Sequence, residues 1–379
     1  QSKKNNNYLE IPYFKVIADN IDLTFSPRFY SNQKILYQSE YRHITKNANH
    51  IFDFGIKNDS PTIFNEDNTS ETHLFSNSTI NTNFDYFSNS SFEIQIQQTS
   101  NDTYLKSYNI DSPLISSQST LNSKINFEGF NDDIELSISS EIYEDLSKKN
   151  ESDKFEYIFP NFSLTKNIIN NFGGDLTFST SGHKKLYKTN ITEEIVTNDV
   201  SYKSLDDISK LGLVSNYEIL LKNFNSNASK STKYKNENDH NLQTILNYKI
   251  KYPLKKSGER YNETLSPIFS ARYSPNENKN LKHEDRIMDY DSIFLLDRLS
   301  AAETVEGGQS ITFGNEYAIY DKYNESEIFS LNLATSLRDQ ENDKLPLNST
   351  LSQKMSDIVG EMKLKTNKFI DFNYNFSVD

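Results

Sequence analysis

The sequence predicts an all-β fold, an antiparallel transmembrane β-barrel of the outer-membrane type, and three observations point to it. The first is alternation. Phe92, Ile94 and Ile96 alternate with Glu93, Gln95 and Gln97, and Ile134, Leu136 and Ile138 with Glu135, Ser137 and Ser139, so apolar side chains share one face of an extended chain and polar ones the other. The second is composition. The 379 residues include 25 Phe and 23 Tyr, yet only 35% are hydrophobic; disordered chains are poor in aromatics, whereas a polar lumen and polar loops dilute the apolar content of a barrel. The third is that no apolar run reaches the ~18 residues of a transmembrane helix, so a membrane role would have to use strands. Composition also admits a polar-surfaced β-solenoid. That architecture repeats at a fixed period of ~20–50 residues, and the alternating stretches here recur irregularly.

Taken in order, residues 1–10 read as a linker and residues 11–379 as a partial barrel. Ile21, Leu23 and Phe25 alternate with Asn20, Asp22 and Thr24 as an early strand, which Ser26-Pro27 interrupts before the turn-prone Ser31-Asn32. Ile35 to Thr45 reads as the next strand, and the runs around Ile94, Ile125 and Ile138 continue the pattern. The best helix candidate, Ser204 to Leu213, is short and contains Gly212, a poor helix former. Ser229 to Asn241 and Ser274 to Ser292 are polar and charge-rich, as surface loops are. From Asp291 to Glu306 charged and apolar residues mix without a period, and Gly307-Gly308 then marks a turn. Beyond it Ile311, Phe313 and Tyr317 fall on one face, and Thr312, Gly314, Glu316 and Ala318 on the other. At the C-terminus, Ile358 to Leu364 and Ile370 to Val378 alternate on either side of a tight turn near Asn367-Lys368. Short turns of this kind belong to the periplasmic side of outer-membrane barrels. With ~10-residue strands and their connections the length supplies about 18 strands. The start at Gln1 and the alternating run that ends at Asp379 read as a fragment with strands missing.

The side chains offer little chemistry. A net charge of −13 disfavours nucleic acid. The chain has no cysteine, hence no disulfide framework and no thiolate metal site. Its six histidines show no pair at metal-ligand spacing, the nearest being His43 and His50. No catalytic constellation stands out, so neither an enzyme nor a cofactor is expected. Glu284, Asp285, Asp289, Asp291 and Asp297, beside Arg286 and Arg298, form an acidic cluster that reads either as a solvated loop or as a contact for divalent cations or lipid headgroups. Pro12 and Pro27 each lack an N–H, which confines them to sheet edges and strand ends.

Several stretches resemble the LptD family of outer-membrane lipopolysaccharide-assembly proteins. Asp297-Arg298-Leu299-Ser300, then Thr304-Val305-Glu306-Gly307-Gly308-Gln309, then Phe313-Gly314 resemble one of its segments, and the passage from Ile11 to His43 resembles the start of its barrel. Ser100 to Leu105, Tyr157 to Pro160 and Tyr248 to Ser270 are similar to further, weaker motifs. The resemblance implies a longer barrel preceded by a periplasmic β-jellyroll, located in the outer membrane of a Gram-negative cell. It implies lipopolysaccharide as cargo, with an LptE-type plug lipoprotein and periplasmic Lpt bridge proteins as partners. It also implies a lateral gate whose candidates are Pro12, Pro27, Ile21, Leu23 and Phe25, the prolines weakening the pairing of the first strand with the last. Asp297, Arg298, Glu306, Gly307, Gly308 and Gly314 carry the family's loop motif. Asp19 stands where some members have a further proline, and the cysteines of some members are absent. The alternation alone fits another outer-membrane barrel, such as a porin or receptor, and a secreted β-rich adhesin is a further alternative.

Overall fold

The computed structural model of the chain describes residues 7–31, 34–58, 70–188, 190–367 and 370–379. The expected turns at Asn32 and Lys368 fall outside these residues. Among them lie 21 strands. They are β1 (Tyr8–Glu10), β2 (Tyr13–Ala18), β3 (Ile21–Tyr30), β4 (Ile35–Ile44), β5 (Ala48–Asn58), β6 (Glu71–Thr82) and β7 (Asn89–Thr99). Next come β8 (Thr120–Phe130), β9 (Ile134–Asp145), β10 (Phe155–Ile168), β11 (Asp175–Tyr187), β12 (Ile191–Lys203), β13 (Asp207–Ile208) and β14 (Val214–Ser229). The remainder are β15 (Asp239–Lys251), β16 (Leu254–Ser257), β17 (Tyr261–Ser274), β18 (Gly308–Asp321), β19 (Glu327–Arg338), β20 (Ile358–Asn367) and β21 (Ile370–Val378). Three of these, β1, β13 and β16, have four residues or fewer, which leaves about the expected number of full strands. The first strand begins at Tyr8, inside the stretch read as a linker.

Two helical turns, α1 (Tyr104–Ser107) and α2 (Glu151–Lys154), have four residues each, too short for sequence periodicity to reveal. The stretch Ser204 to Leu213 is not helical. It holds β13, which pairs with Val214 and Ser215 through a turn containing Gly212 at φ +83°.

The chain divides into two compact units, one of Gln1–Lys166, Thr180–Val196 and Ser226–Asp239, the other of Asn167–Ser179, Thr197–Asn225 and His240–Asp379. In the first, β2 to β10 pair antiparallel in chain order, and β1 continues β2 along β3. One face stays open. Phe54, Ile125 and Ile138 are 46, 56 and 43% exposed there. The opposite face is covered by the connection from β7 to β8, whose Tyr104, Leu105 and Ile110 bury themselves against Leu36, Phe75 and Leu121.

In the second unit, β15, β17, β18, β19, β20 and β21 pair antiparallel in that order. The alternation expected after Gly308 is present: Ile311 and Phe313 are 40 and 45% exposed, while Ser310 and Thr312 are buried. The C-terminal hairpin keeps its expected register from Ile358↔Val378 to Leu364↔Phe372. Residues 275–307 depart from expectation. Read as a surface loop, the stretch from Ser274 to Ser292 instead buries Leu281, Met288 and Tyr290, which join Ile293, Leu299, Ala334, Leu345, Leu351 and Val359 in one cluster over the covered face. Its charged residues hid the few apolar anchors that fix it.

Candidate functional site

In the first unit the expected gate residues gather at one sheet edge. Tyr8 to Glu10 pair with Tyr30 to Arg28, and Tyr13 to Val16 with Phe25 to Asp22, in one continuous register that Pro12 interrupts. Between these ladders the Ile11 N–H donates to the Pro27 carbonyl at 3.1 Å. Ile11 and Pro27 therefore face each other. Because N–H and C=O directions alternate along an antiparallel strand, the ring nitrogen of Pro12 points away from β3, toward an edge that no described strand of this unit pairs. The ring nitrogen of Pro27 points toward Ile11. Pro27 thus removes a donor between β3 and the first strand, which corrects the expectation that both prolines act on the pairing with the last strand; its place on β3 sets the direction.

Ile21, Leu23 and Phe25 lie on the open face of β3, opposite His43, Tyr41 and Ser39 of β4, with Phe25 stacked on Tyr37 at 6.0 Å. The first strand differs from its neighbour on the other face. Phe14 and Val16 lie opposite Thr24 and Asp22 and are 53 and 62% exposed, while Tyr13, opposite Phe25 on the open face, is 61% exposed and Ile17, at the register shift before Ala18, is 52% exposed. β2 carries exposed apolar side chains on both faces, and Lys15 also lies on the open face.

The same unit holds a buried polar chain that the sequence did not reveal. Gln38 donates through Nε2 to Asp53 at 2.9 Å and to the Asp111 carbonyl at 2.9 Å. His73 contacts Asp53 at 3.4 Å through Nε2 and the Tyr104 hydroxyl at 3.1 Å through Nδ1. These contacts fix the connection to the wall, with Arg28 donating to the carbonyls of Tyr108 and Asn109. Gly55 permits the approach, since a Cβ there would stand 2.2 Å from the His73 ring. His43 and His50 meet across β4 and β5, ring centroids 6.1 Å apart, and no cluster of three or more metal-ligating side chains occurs among the described residues.

In the second unit the loop motif forms a clamp around one carboxylate. Arg298 donates to Glu306 from Nε at 2.8 Å and from Nη2 at 2.5 Å. Its Nη1 and Nη2 also donate to Ser336 and Ser310 at 2.9 and 2.8 Å. Arg338 binds the same carboxylate and donates to the Gly307 carbonyl at 2.6 Å, and Arg272 stands 3.9 Å away. All four charged side chains are buried. Burial pushes the Glu306 carboxyl up, but the charges of Arg298, Arg272 and Arg338 and the hydrogen bond from Arg298 outweigh it and hold the group down at about 2. Asp297, 3.6 Å from Lys222, is pushed up by burial, which prevails over the nearby cations.

The motif glycines are fixed by space. A Cβ on Gly307 would lie 2.2 Å from the Asn276 carbonyl oxygen, and one on Gly314 2.5 Å from the Phe294 ring; Gly308 adopts φ +90°, open to glycine without strain. Of the acidic cluster, Asp297 is drawn in beside Lys222, while Asp289 holds the turn at Ser292 and Asp285 accepts from Asn348. Arg272 and Arg338 were missed. The available signal was a lone arginine at a polar-face position near the end of a strand.

A sheet that leaves Phe54, Ile125, Ile138, Ile311 and Phe313 exposed on its open face and carries charged and polar side chains beneath its connections has the plan of an outer-membrane β-barrel wall, and the chain is of that class. The LptD family, described as LPS transport system D, matches residues 76–378. The chain belongs to that family and is a protein of the cell outer membrane that serves lipopolysaccharide transport. Among solved structures it is similar to OmpT, an outer membrane protein of Vibrio cholerae, at 8% identity over 96% of this chain and 95% of that one, with a TM-score of 0.24, too distant to add to the argument. No curated protein sequence matches.

Proposed function

We propose that this chain carries lipopolysaccharide from the periplasm to the outer leaflet and releases it sideways at the free edge of its first strand, without a covalent step. The observation that supports this most is β2. A wall strand needs one apolar face, for the bilayer; a second, on the side where β3 presents Asp22 and Thr24, suits a strand that acyl chains pass on their way out. Phe14 and Val16 provide that surface, and the polar covered face suits the sugars.

Pro12 makes the edge easier to open. A ladder bond contributes ~0.5–1.5 kcal/mol net, and Pro12 withholds one on the side where the opening forms. Lipopolysaccharide arrives from periplasmic Lpt bridge proteins, with an LptE-type lipoprotein as plug, both taken from the family. In this reading the Glu306 clamp holds residues 275–307 in place while cargo moves. The test is Pro12→Ala, which restores an edge donor. Surface delivery of newly made lipopolysaccharide should slow roughly 2- to 10-fold for a bond of ~0.5–1.5 kcal/mol; unchanged delivery would count against release at this edge.

A further inference from the structure

The first strand is held differently on the two sides of Pro12. On the N-terminal side, Arg28 of β3 lies directly opposite Glu10 of β1 and pairs with it on the covered face, Nε to carboxylate at 3.2 Å. The same guanidinium stands over the Tyr8 ring at 5.5 Å, and its Nη1 donates to the carbonyls of Tyr108 and Asn109 at 3.3 and 3.2 Å. One buried side chain thereby joins β1, β3 and the connection from β7 to β8. A column of rings runs beside it. Tyr8 packs on Tyr30 at 5.3 Å, Tyr30 meets Tyr108 edge to face at 5.6 Å, and Tyr108 packs on Tyr104 at 5.6 Å. Tyr104 is tied to β6 through His73, so the column ends in the wall.

Beyond Pro12 none of this continues. The six side chains of β2 are exposed and make no ion pair, hydrogen bond or ring contact among the described residues. The ladder is weakest between the two segments, because Ile11 donates to the Pro27 carbonyl and Pro27 has no N–H to return the bond. The register shifts once more before Ala18. A segment with few buried contacts opens at low free energy, and a well-anchored one does not. We propose that Arg28 is a latch that fixes β1 as an immobile lip of the edge, so that only β2, hinged at Ile11-Pro12, moves aside for lipid. Resting on the proposed lateral release, the latch specifies which part of the first strand yields. A planar guanidinium suits the task, since its fork holds a carboxylate and carbonyls at once while its face lies on a ring. The short turn at Asp19-Asn20 puts β2 at the periplasmic end, where lipid arrives. At the depth of β1, room for lipid comes from the strand that faces the edge and not from β1.

The chain has no cysteine, so spin labels can be placed in pairs on the full chain, purified and reconstituted in phospholipid nanodiscs. Leu9→Cys and Lys15→Cys, both exposed on the open face, are each combined with Ile125→Cys on β8, and the distance distributions are read by double electron–electron resonance. The distribution from Leu9 should be narrow and that from Lys15 several-fold broader. Arg28→Gln should broaden the Leu9 distribution to the width at Lys15 and leave Lys15 as it was, and Glu10→Gln repeats the test if the loss of the arginine prevents assembly. A merely structural loss would loosen both sites together. Equal widths in the wild type, a Leu9 distribution that stays narrow in both variants, or equal broadening of the two sites would overturn the latch. No cargo is present in this measurement, so failure of the latch is distinguishable from failure of lateral release, which is read from lipid adducts at Phe14 and Val16.

Discussion

Glu306→Gln removes one negative charge from a site that buries three guanidiniums, and the size of the effect can be worked from the structure. The carboxyl is held at about 2 against an ordinary 4.5. At 1.36 kcal/mol per unit that difference corresponds to ~3 kcal/mol of stability at neutral pH. An independent route agrees, since breaking a buried ion pair by removing one partner costs ~3–5 kcal/mol, mostly through the uncompensated charge left behind. Glutamine keeps one acceptor, but its amide would point donors at guanidiniums that are themselves donors. The variant should lower the denaturant midpoint of the chain in detergent micelles, followed by far-UV circular dichroism. It should also expose residues 275–307 to a soluble protease. Glu306→Gln combined with Arg338→Gln should recover part of the loss, because the pair shares the penalty. If Glu306→Gln leaves both the midpoint and the protease pattern of the wild type intact, the clamp does not hold the loop.

The same carboxylate sets a pH dependence. A carboxyl whose folded value is depressed contributes stability above its ordinary value and loses it as pH falls, here from 4.5 to about 2, so wild-type protease protection of the loop should fail across that window and Glu306→Gln should show no such slope. Asp297, raised by burial, acts with the opposite sign and should make Asp297→Asn gain relative stability as pH rises past the ordinary carboxylate range. Gly307→Ala meets the Asn276 backbone and should cost ~1–3 kcal/mol by the same unfolding measurement. Tyr104→Ala empties a fully buried site and breaks the contact with His73, for a loss of ~3–5 kcal/mol that a change at an exposed position of the same connection, such as Asn101→Ala, should not reproduce. Pro27→Ala should tighten β3 on the first strand and raise the unfolding free energy by ~1 kcal/mol, whereas Pro12→Ala should alter export more than stability.

The strands were legible because alternation survives wherever one face is open and apolar. Ile311 and Phe313 against Ser310 and Thr312, and the whole C-terminal hairpin, follow from period-2 reading alone. The connection from 275 to 307 was not legible. Its charge density reads as solvent contact, yet Arg298 and Glu306 satisfy each other, and Leu281, Met288 and Tyr290 are spaced too irregularly to reveal a buried face. Distance along the chain hid the rest of the site. Arg272 and Arg338 lie on different strands, 34 and 32 residues from Glu306, the first by sequence number and the second as bonded in the fold. His73 likewise reaches Tyr104, 31 residues on, through a pairing that only the folded ladder supplies. The direction of each proline's missing donor depends on strand register, which residue type alone cannot give.

Release of lipid at the first strand can be read by placing a photo-crosslinking amino acid at Phe14, Val16, Asp22 or Thr24 in living cells and mapping where lipopolysaccharide becomes covalently attached, through its acyl chains or its sugars. Release at the edge predicts adducts joined through the acyl chains at Phe14 and Val16, and adducts joined only through the sugars at Asp22 and Thr24, which face the same side one strand further in. Acyl-linked adducts at Asp22 and Thr24 with none at Phe14 and Val16 would contradict it.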